Sequence, residues 1–361
     1  MAEERMQRLP AEQLFQKELD ALIAAEQYEI PEGWRMSPRS VLRYIIGGKC
    51  GDIDITPKYI GKKRTVEIAI ATLVTDRALL LIGEPGTAKS WLSEHLSAAI
   101  NGDSTCVVQG TAGTTEEQIR YSWNYAMLIA EGPTERALVK SPIFRAMEGG
   151  RIARLEEISR CASEVQDALI SILSEKRVSV PELNEEIPAR KGFSIIATAN
   201  TRDRGVNEMS AALKRRFNFE TVRPIADRAF EAELIARALD AELGPERAPM
   251  SPEVLDVLVT VFADLRTGAT ASGAPVKRPD AVMSTAEAVN VGVAASMSAR
   301  YLGDGAVRSA DIARQLVGVA LKGEAEDARR MRFYIDSVVR ERARASAHWK
   351  DFLAAAQGLW E

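Results

Sequence analysis

ALLLIGEPGTAKSWLSEHLSAA, residues 78–99, runs from an unbroken apolar segment through a glycine-containing loop into a helical period. The apolar segment, residues 78–82, has the composition of a strand buried on both faces. Leu92, Leu96 and Ala99 then recur at helical spacing, which predicts a helix over residues 89–99. Between them GEPGTAKS fits G-x-x-x-x-G-K-[ST]. In that setting the backbone of Gly83, Glu84, Pro85, Gly86, Thr87 and Ala88 wraps a polyphosphate, and the helix N-terminus adds partial positive charge. Gly83 and Gly86 permit the turn and the close approach. Lys89 is expected to reach the β- and γ-phosphates and the Ser90 hydroxyl to meet a magnesium ion, so ATP and Mg2+ are the expected ligands. The bland alternative is a glycine-rich turn with a surface lysine.

Outward from this stretch, further short apolar runs at residues 106–109, 151–155 and 193–198 alternate with helical periods. Such alternation predicts an α/β fold, a three-layer αβα P-loop domain with a mostly parallel sheet, over residues 51–223. Beyond Pro224 the chain is rich in Ala, Leu and charge at helical spacing, which predicts an all-helical domain over residues 224–361. Residues 267–276 (TGATASGAPV) form a loop within it. A last helix is expected over residues 325–353, with Arg329, Arg330, Arg332, Arg340, Arg342 and Arg344 on it. Acidic residues between them favour a solvated face over a nucleic-acid surface. The first 50 residues are expected to be helical, with Leu14, Leu19 and Leu22 near helical spacing, either as a docking element or as a packing arm.

A phosphate loop that drives hydrolysis needs a second strand ending in carboxylates. Residues 151–157 (RIARLEE) supply it. Glu157 is placed to polarise water as general base, and Glu156 to hold magnesium through its hydration shell. Glu156 stands where Asp is usual, and Arg154 stands where a buried strand favours an apolar side chain. An ordinary pair of surface glutamates is the competing interpretation. Asn200 ends the run 193–199 and is suited to hold the water or the γ-phosphate from the opposite side; taken alone it is a turn residue. Arg215 and Arg216, in MSAALKRRF (residues 209–217), suit a guanidinium presented to a neighbouring subunit's γ-phosphate. A basic helix terminus satisfying its last carbonyls is the alternative.

Bulk properties narrow the classes. The formal net charge of −4 provides no global basic field, which argues against nucleic acid as a partner. The three cysteines, Cys50, Cys106 and Cys161, are isolated, and His95 and His348 lie far apart, so neither a disulfide framework nor a zinc site is expected. No apolar run follows residues 1–8 and none approaches a membrane span, so the expected location is cytoplasmic.

In order and content these motifs resemble the AAA+ ATPases, specifically the MoxR-like group, over residues 55–223, with a weaker continuation through the helical domain. LEEISRCASEVQDALISILSEKRVSV (residues 155–180) and FSIIATANTRDRGVNEMSAALKRRFN (residues 193–218) carry the resemblance. It implies that Lys89 and Ser90 are the Walker A pair, Glu157 the Walker B acid and Asn200 sensor 1. It places the arginine finger on Arg216, with Arg215 as runner-up. Tyr59 and Ile60 would contact adenine, and Arg278 would be the sensor 2 arginine of a lid. Residues 110–132 resemble the insert facing a ring pore, and residues 181–191, with Glu182, Glu185 and Glu186, the hairpin before sensor 1. The group implies a homo-oligomer, a hexameric ring that remodels a protein client beside a von Willebrand factor A domain protein. Alternatives are a DNA-linked AAA+ motor and an ATP-gated scaffold with slow turnover.

Overall fold

The computed structural model describes residues 8–75, 77–200, 209–225, 227–320 and 325–358. It divides into two compact units. The first holds the described residues up to Glu84 together with Ala88–Arg223, and the second holds Pro85–Thr87 and the described part of Pro224–Glu361.

The first unit is built on five strands: β1 Ala78–Gly83, β2 Val107–Gln109, β3 Ile152–Glu156, β4 Ser194–Asn200 and β5 Phe217–Thr221. All pair in parallel, in the order β5-β1-β4-β3-β2. The predicted α/β layering and parallel sheet are therefore present. Alternate residues leave a strand on opposite faces. Leu79, Leu81, Ile152 and Ile196 accordingly join one core with the helices Lys63–Val74 and Lys89–Asn101, while Ala78, Leu80, Ala153, Leu155, Ile195 and Ala197 join the other with Pro142–Gly149 and Ser163–Glu175. β5 was not among the expected strands. It is an edge strand in which Phe217 is buried while Phe219 is 44% exposed, so its apolar signal is half that of a central strand.

The N-terminal residues pack into the core of the first unit. Short helices Ala11–Leu14 and Gln16–Ala24 bury Leu19 and Leu22 but leave Leu14 exposed. Ser37 caps the helix Pro38–Ile46 by accepting from the Ser40 N–H, and Gly47, at φ 83°, ends it. Lys58 is buried between the rings of Phe15 and Tyr44, 4.1 and 4.6 Å from their centroids, and pairs with Glu18 at 2.6 Å. The Tyr44 hydroxyl lies 2.9 Å from His95 Nδ1 on the helix that leaves the phosphate loop. Phe15 and Trp91 pack against the same imidazole.

Burial, with the charges of Lys58, Arg154 and Arg8, pushes His95 down to about 3 from an ordinary 6.5. A depressed histidine keeps its stabilisation above the unfolded value and loses it as pH falls toward the folded value. Unfolding free energy is thus expected to drop by ~2 kcal/mol between pH 7 and 5 through this group, at ~1.4 kcal/mol per pH unit below 6.5. Urea melts of the parent and of His95→Gln check it. The variant should show a shallower slope by one proton, and equal slopes would refute the assignment.

The second unit is helical: Arg228–Leu243, Pro252–Thr267, Thr285–Leu302, Ser309–Ala320, Ala325–Tyr334 and Ala347–Gln357 enclose Leu239, Phe262, Ala295, Ile312, Tyr334 and Phe352. Asp264, fully buried, accepts from Arg228 at 2.8 Å, Arg342 at 2.7 Å and the Tyr334 hydroxyl at 3.1 Å. The single helix expected over residues 325–353 is interrupted. A π-helical turn, Ile335–Val339, is followed by a break after Arg342, and the chain then folds Trp349, Phe352 and Ala356 back into the core.

Candidate functional site

The expected loop lies where parallel sheets place ligands, at the carboxyl end of a central strand. β1 ends at Gly83, and the helix begins at Lys89. Gly86 and Ala88 both adopt left-handed φ, 72° and 65°, a conformation that turns successive N–H groups to one side and forms an anion nest. For Ala88 that conformation costs about 1–2 kcal/mol, strain of the kind held at ligand sites. The buried Lys89 ammonium donates to the carbonyls of Gly83 at 3.1 Å and Glu84 at 2.8 Å, so its charge stays at the mouth of the loop.

β3 and β4 complete the arrangement. The strand period puts Ile152, Arg154 and Glu156 on the face covered by the loop helix, and Ile196 and Thr198 on that face of β4. Glu156 is only 4% exposed, yet both its oxygens are filled. Ser90 and Thr198 hydroxyls donate to Oε2 at 2.6 and 2.7 Å; the Ser93 hydroxyl and Arg154 donate to Oε1 at 2.7 and 2.9 Å. Burial pushes the Glu156 carboxyl up, but the Arg154 charge and the hydroxyls of Ser90, Ser93 and Thr198 together outweigh it and leave the group below its usual range. Losing one partner of an ion pair at this depth costs about 3–5 kcal/mol.

Glu157 follows in a left-handed conformation, φ 56° and ψ 45°. Its N–H donates to the Thr198 hydroxyl at 3.0 Å, and its carboxylate, half-buried, pairs with Arg160 at 2.7 Å. Asn200 ends β4 directly beside Gly83 in the ladder. Lys89, Ser90, Glu156, Glu157 and Asn200 are thus gathered at one end of the sheet. The oxygen-rich set at Ser90 and Glu156 suits a hard cation such as magnesium, although Arg154 already answers part of the Glu156 charge.

Other expected residues lie elsewhere. Arg216 sits at the opposite end of the sheet, where its carbonyl accepts from Ala78 N–H; its guanidinium donates to Ser174 Oγ and to the Ala212 carbonyl. Arg215 is exposed, and its carbonyl accepts from Arg77. Tyr59 is buried, with Gly61 tight against its ring, before the helix Lys63–Val74, and Ile60 beside it is half-buried. Arg278 belongs to the second unit, exposed on a loop where its stem packs over Gly268. Residues 201–208, inside the quoted sensor stretch, lie outside the described residues.

Within residues 110–132, the strand Tyr121–Trp123 pairs with Leu138–Lys140, beyond that stretch, in a hairpin carrying the helix Tyr125–Glu131, which buries none of its side chains. The second hairpin begins earlier than expected, at Arg177, because Val178 and Val180 are needed in the core. Of its acidic residues, Glu186 pairs with Arg177 and Glu182 accepts from the Tyr121 hydroxyl. Ser93 and Thr198 were not singled out as site residues. The period-two spacing of Thr198 from Asn200 and the helical spacing of Ser93 from Ser90 were the available signals.

Comparison with known proteins bears on the same regions. The family described as AAA domain (dynein-related subfamily) matches residues 78–217, and the YehL-like AAA+ ATPase C-terminal domain matches residues 230–358. The protein YehL of Escherichia coli (strain K12) is 45% identical over 364 residues, covering 98% of each chain. A Staphylococcus aureus (strain USA300) protein is 31% identical over 143 residues, 39% of this chain and 54% of that one. Among solved structures, NtrX from Brucella abortus in complex with ADP aligns at a TM-score of 0.47 and 13% identity, over 69% of this chain and 53% of its own. Among the described residues no helix is long and apolar enough to cross a membrane. With a near-full-length relative at that identity, and both domains matched in order, this chain belongs to the YehL-like AAA+ ATPases.

Proposed function

We propose that this chain is a ring-forming, chaperone-like remodeller that couples ATP hydrolysis to maturation of a protein client, beside a von Willebrand factor A domain partner. The observation that carries the ATPase half is the convergence of Lys89, Ser90, Glu156, Glu157 and Asn200 at the carboxyl end of one parallel sheet. In this reading Ser90 and Glu156 hold magnesium, which neutralises phosphate charge when bound. Lys89 contacts the β- and γ-phosphates, Glu157 takes the proton of the attacking water, and Asn200 orients it. Tyr59 and Ile60 contact adenine, and Arg278 acts as sensor 2.

The ring follows from Arg216. It immediately precedes Phe217, the ladder partner of Ala78, so it stands at least five strand steps of ~3.3 Å from Gly83, or ~17 Å from its own loop, further than an arginine side chain extends. A guanidinium serving hydrolysis from there must serve a neighbour's nucleotide, and a head-to-tail contact of that kind closes into a ring such as a hexamer. The remodelling half draws on the MoxR-like resemblance and on the helix Tyr125–Glu131, which presents Tyr125 and Ile129, 63% and 87% exposed.

Affinity purification of the tagged chain from its native source, with ATP present, tests the assignment. Co-recovery of a von Willebrand factor A domain protein is the expected result. Recovery of DNA, with ATPase stimulation by DNA that falls steeply with salt, would replace it with the DNA-linked motor. A second reading, an ATP-gated scaffold with slow turnover, draws on the Arg154–Glu156 pair and on Glu157 being held by Arg160. An ATPase assay on the purified chain separates it.

A further inference from the structure

The least ordinary group in the first unit is the guanidinium of Arg154, at 7% exposure on the middle of a buried strand. Four hydrogen bonds hold it, and three of them go to the loop helix and to Glu156. Nε donates to Ser93 Oγ at 3.0 Å, one terminal nitrogen to the Ser104 carbonyl at 3.1 Å, and the other to the Ser90 carbonyl at 3.0 Å and to Glu156 Oε1 at 2.9 Å. It therefore ties the first turns of the loop helix to the carboxylate that closes β3.

A buried carboxylate requires a cation or a full set of donors. At a phosphate loop that cation is ordinarily the magnesium that arrives with the nucleotide. Glu156 has both: two donors reach each of its oxygens, the Ser93 hydroxyl sharing its proton with the Ser90 carbonyl at 2.9 Å, and one of the four donors carries a permanent positive charge. Two consequences follow. Ser90 already donates its proton to Glu156, which leaves a hydroxyl lone pair for a metal, while the metal's water meets a Glu156 carboxylate whose oxygens each already hold two donors. Arg154 also places a fixed positive charge next to the backbone of Ser90, where it opposes a divalent ion.

We infer that Arg154 is a resident counter-charge to Glu156, one that lets this chain bind nucleotide nearly as well without magnesium and raises the magnesium concentration that its turnover requires. The inference rests on the phosphate-loop reading of Lys89 and Ser90. It assigns Arg154 a positioning role, since Arg154 acts on ligands through Glu156 and Ser90.

The test is binding of a fluorescent ATP analogue in EDTA and in saturating magnesium, together with the magnesium concentration giving half-maximal turnover. The intact protein should bind the analogue in EDTA within about threefold of its affinity in magnesium; a loss of about a hundredfold overturns the inference without any variant. Arg154→Gln keeps hydrogen-bond donors but removes the charge. It should weaken binding in EDTA and lower the half-saturating magnesium concentration, each by at least about tenfold. Arg154→Lys, which keeps the charge, should behave as the parent in both. If Arg154→Gln leaves both quantities at parental values, the inference fails. Lys89→Ala distinguishes the two failures: loss of analogue binding in that variant leaves the phosphate-loop reading standing, whereas parental binding removes both.

Discussion

Glu157→Gln is expected to leave ATP binding at its parental level and to lower turnover by about 10²–10⁴-fold, the usual contribution of a positioned general base. The amide copies the shape of the carboxylate and removes its basicity. Two carboxylates compete for the role, and the structure separates them by environment. Glu156 is enclosed, and Arg154, Ser90, Ser93 and Thr198 all donate to its oxygens, so its charge is already answered and it is a poor acceptor for a proton. Glu157 lies one residue beyond the strand, half-buried, and its left-handed backbone turns it away from the sheet. That backbone conformation costs of order 1–3 kcal/mol for a non-glycine residue and is held by the bond from Glu157 N–H to Thr198 Oγ1. Strain kept in place by a neighbouring strand is what an active carboxylate needs to stay aimed. Its partner Arg160 is half exposed, at 2.7 Å, and must yield the carboxylate before it can accept a proton from water. Steady-state ATPase rates beside equilibrium binding of a fluorescent nucleotide check the prediction. Parental turnover in the Gln variant removes Glu157 as the base.

Legibility in the sequence followed apolar density. The central strands announced themselves because strands buried on both faces are runs of consecutive apolar residues, as Leu79–Ile82 is. The phosphate loop was readable because its chemistry is local: six residues of backbone, one lysine and one hydroxyl. β5 escaped because FNFET buries only Phe217, at the sheet edge. Arg154 was visible as a misfit in an otherwise buried strand, but its meaning was not. That meaning depends on Ser93 and Ser90, more than sixty residues earlier, lying over the same face, and on Ser104 presenting a carbonyl to it. Thr198 escaped for the same reason, since a threonine in a strand is unremarkable until the adjacent strand places a carboxylate 2.7 Å from it. What sequence spacing delivers is the period along one element. Which elements share a face is a property of the 5-1-4-3-2 strand order.

Arg216→Ala is expected to bind nucleotide like the parent and to lose about 10³–10⁵-fold in turnover, the contribution of a guanidinium at a transferring phosphoryl group. The geometry makes a stricter demand than the magnitude. Because Arg216 sits at the amino end of β5, beside Ala78, its effect must be delivered to a second subunit. Arg216→Ala and Glu157→Gln therefore damage different halves of a shared site. Mixed in equal amounts, the two inactive variants should recover activity. Some interfaces then pair an intact Glu157 on the Arg216→Ala subunit with an intact Arg216 on the Glu157→Gln subunit. Recovery should grow with total protein concentration, as assembly does. In the isolated chain the Arg216 guanidinium rests on Ser174 Oγ and the Ala212 carbonyl, contacts that hold it at the end of the short helix Ala211–Lys214. Those contacts are partly exposed and cheap to exchange for a phosphate, which offers a charged, bidentate partner in place of two neutral oxygens. If the single variant retains parental turnover, the finger moves to the exposed Arg215. If the single variant is inactive and mixing restores nothing at any concentration, Arg216 serves its own subunit or its fold, and the argument from the ~17 Å separation along β1 is refuted.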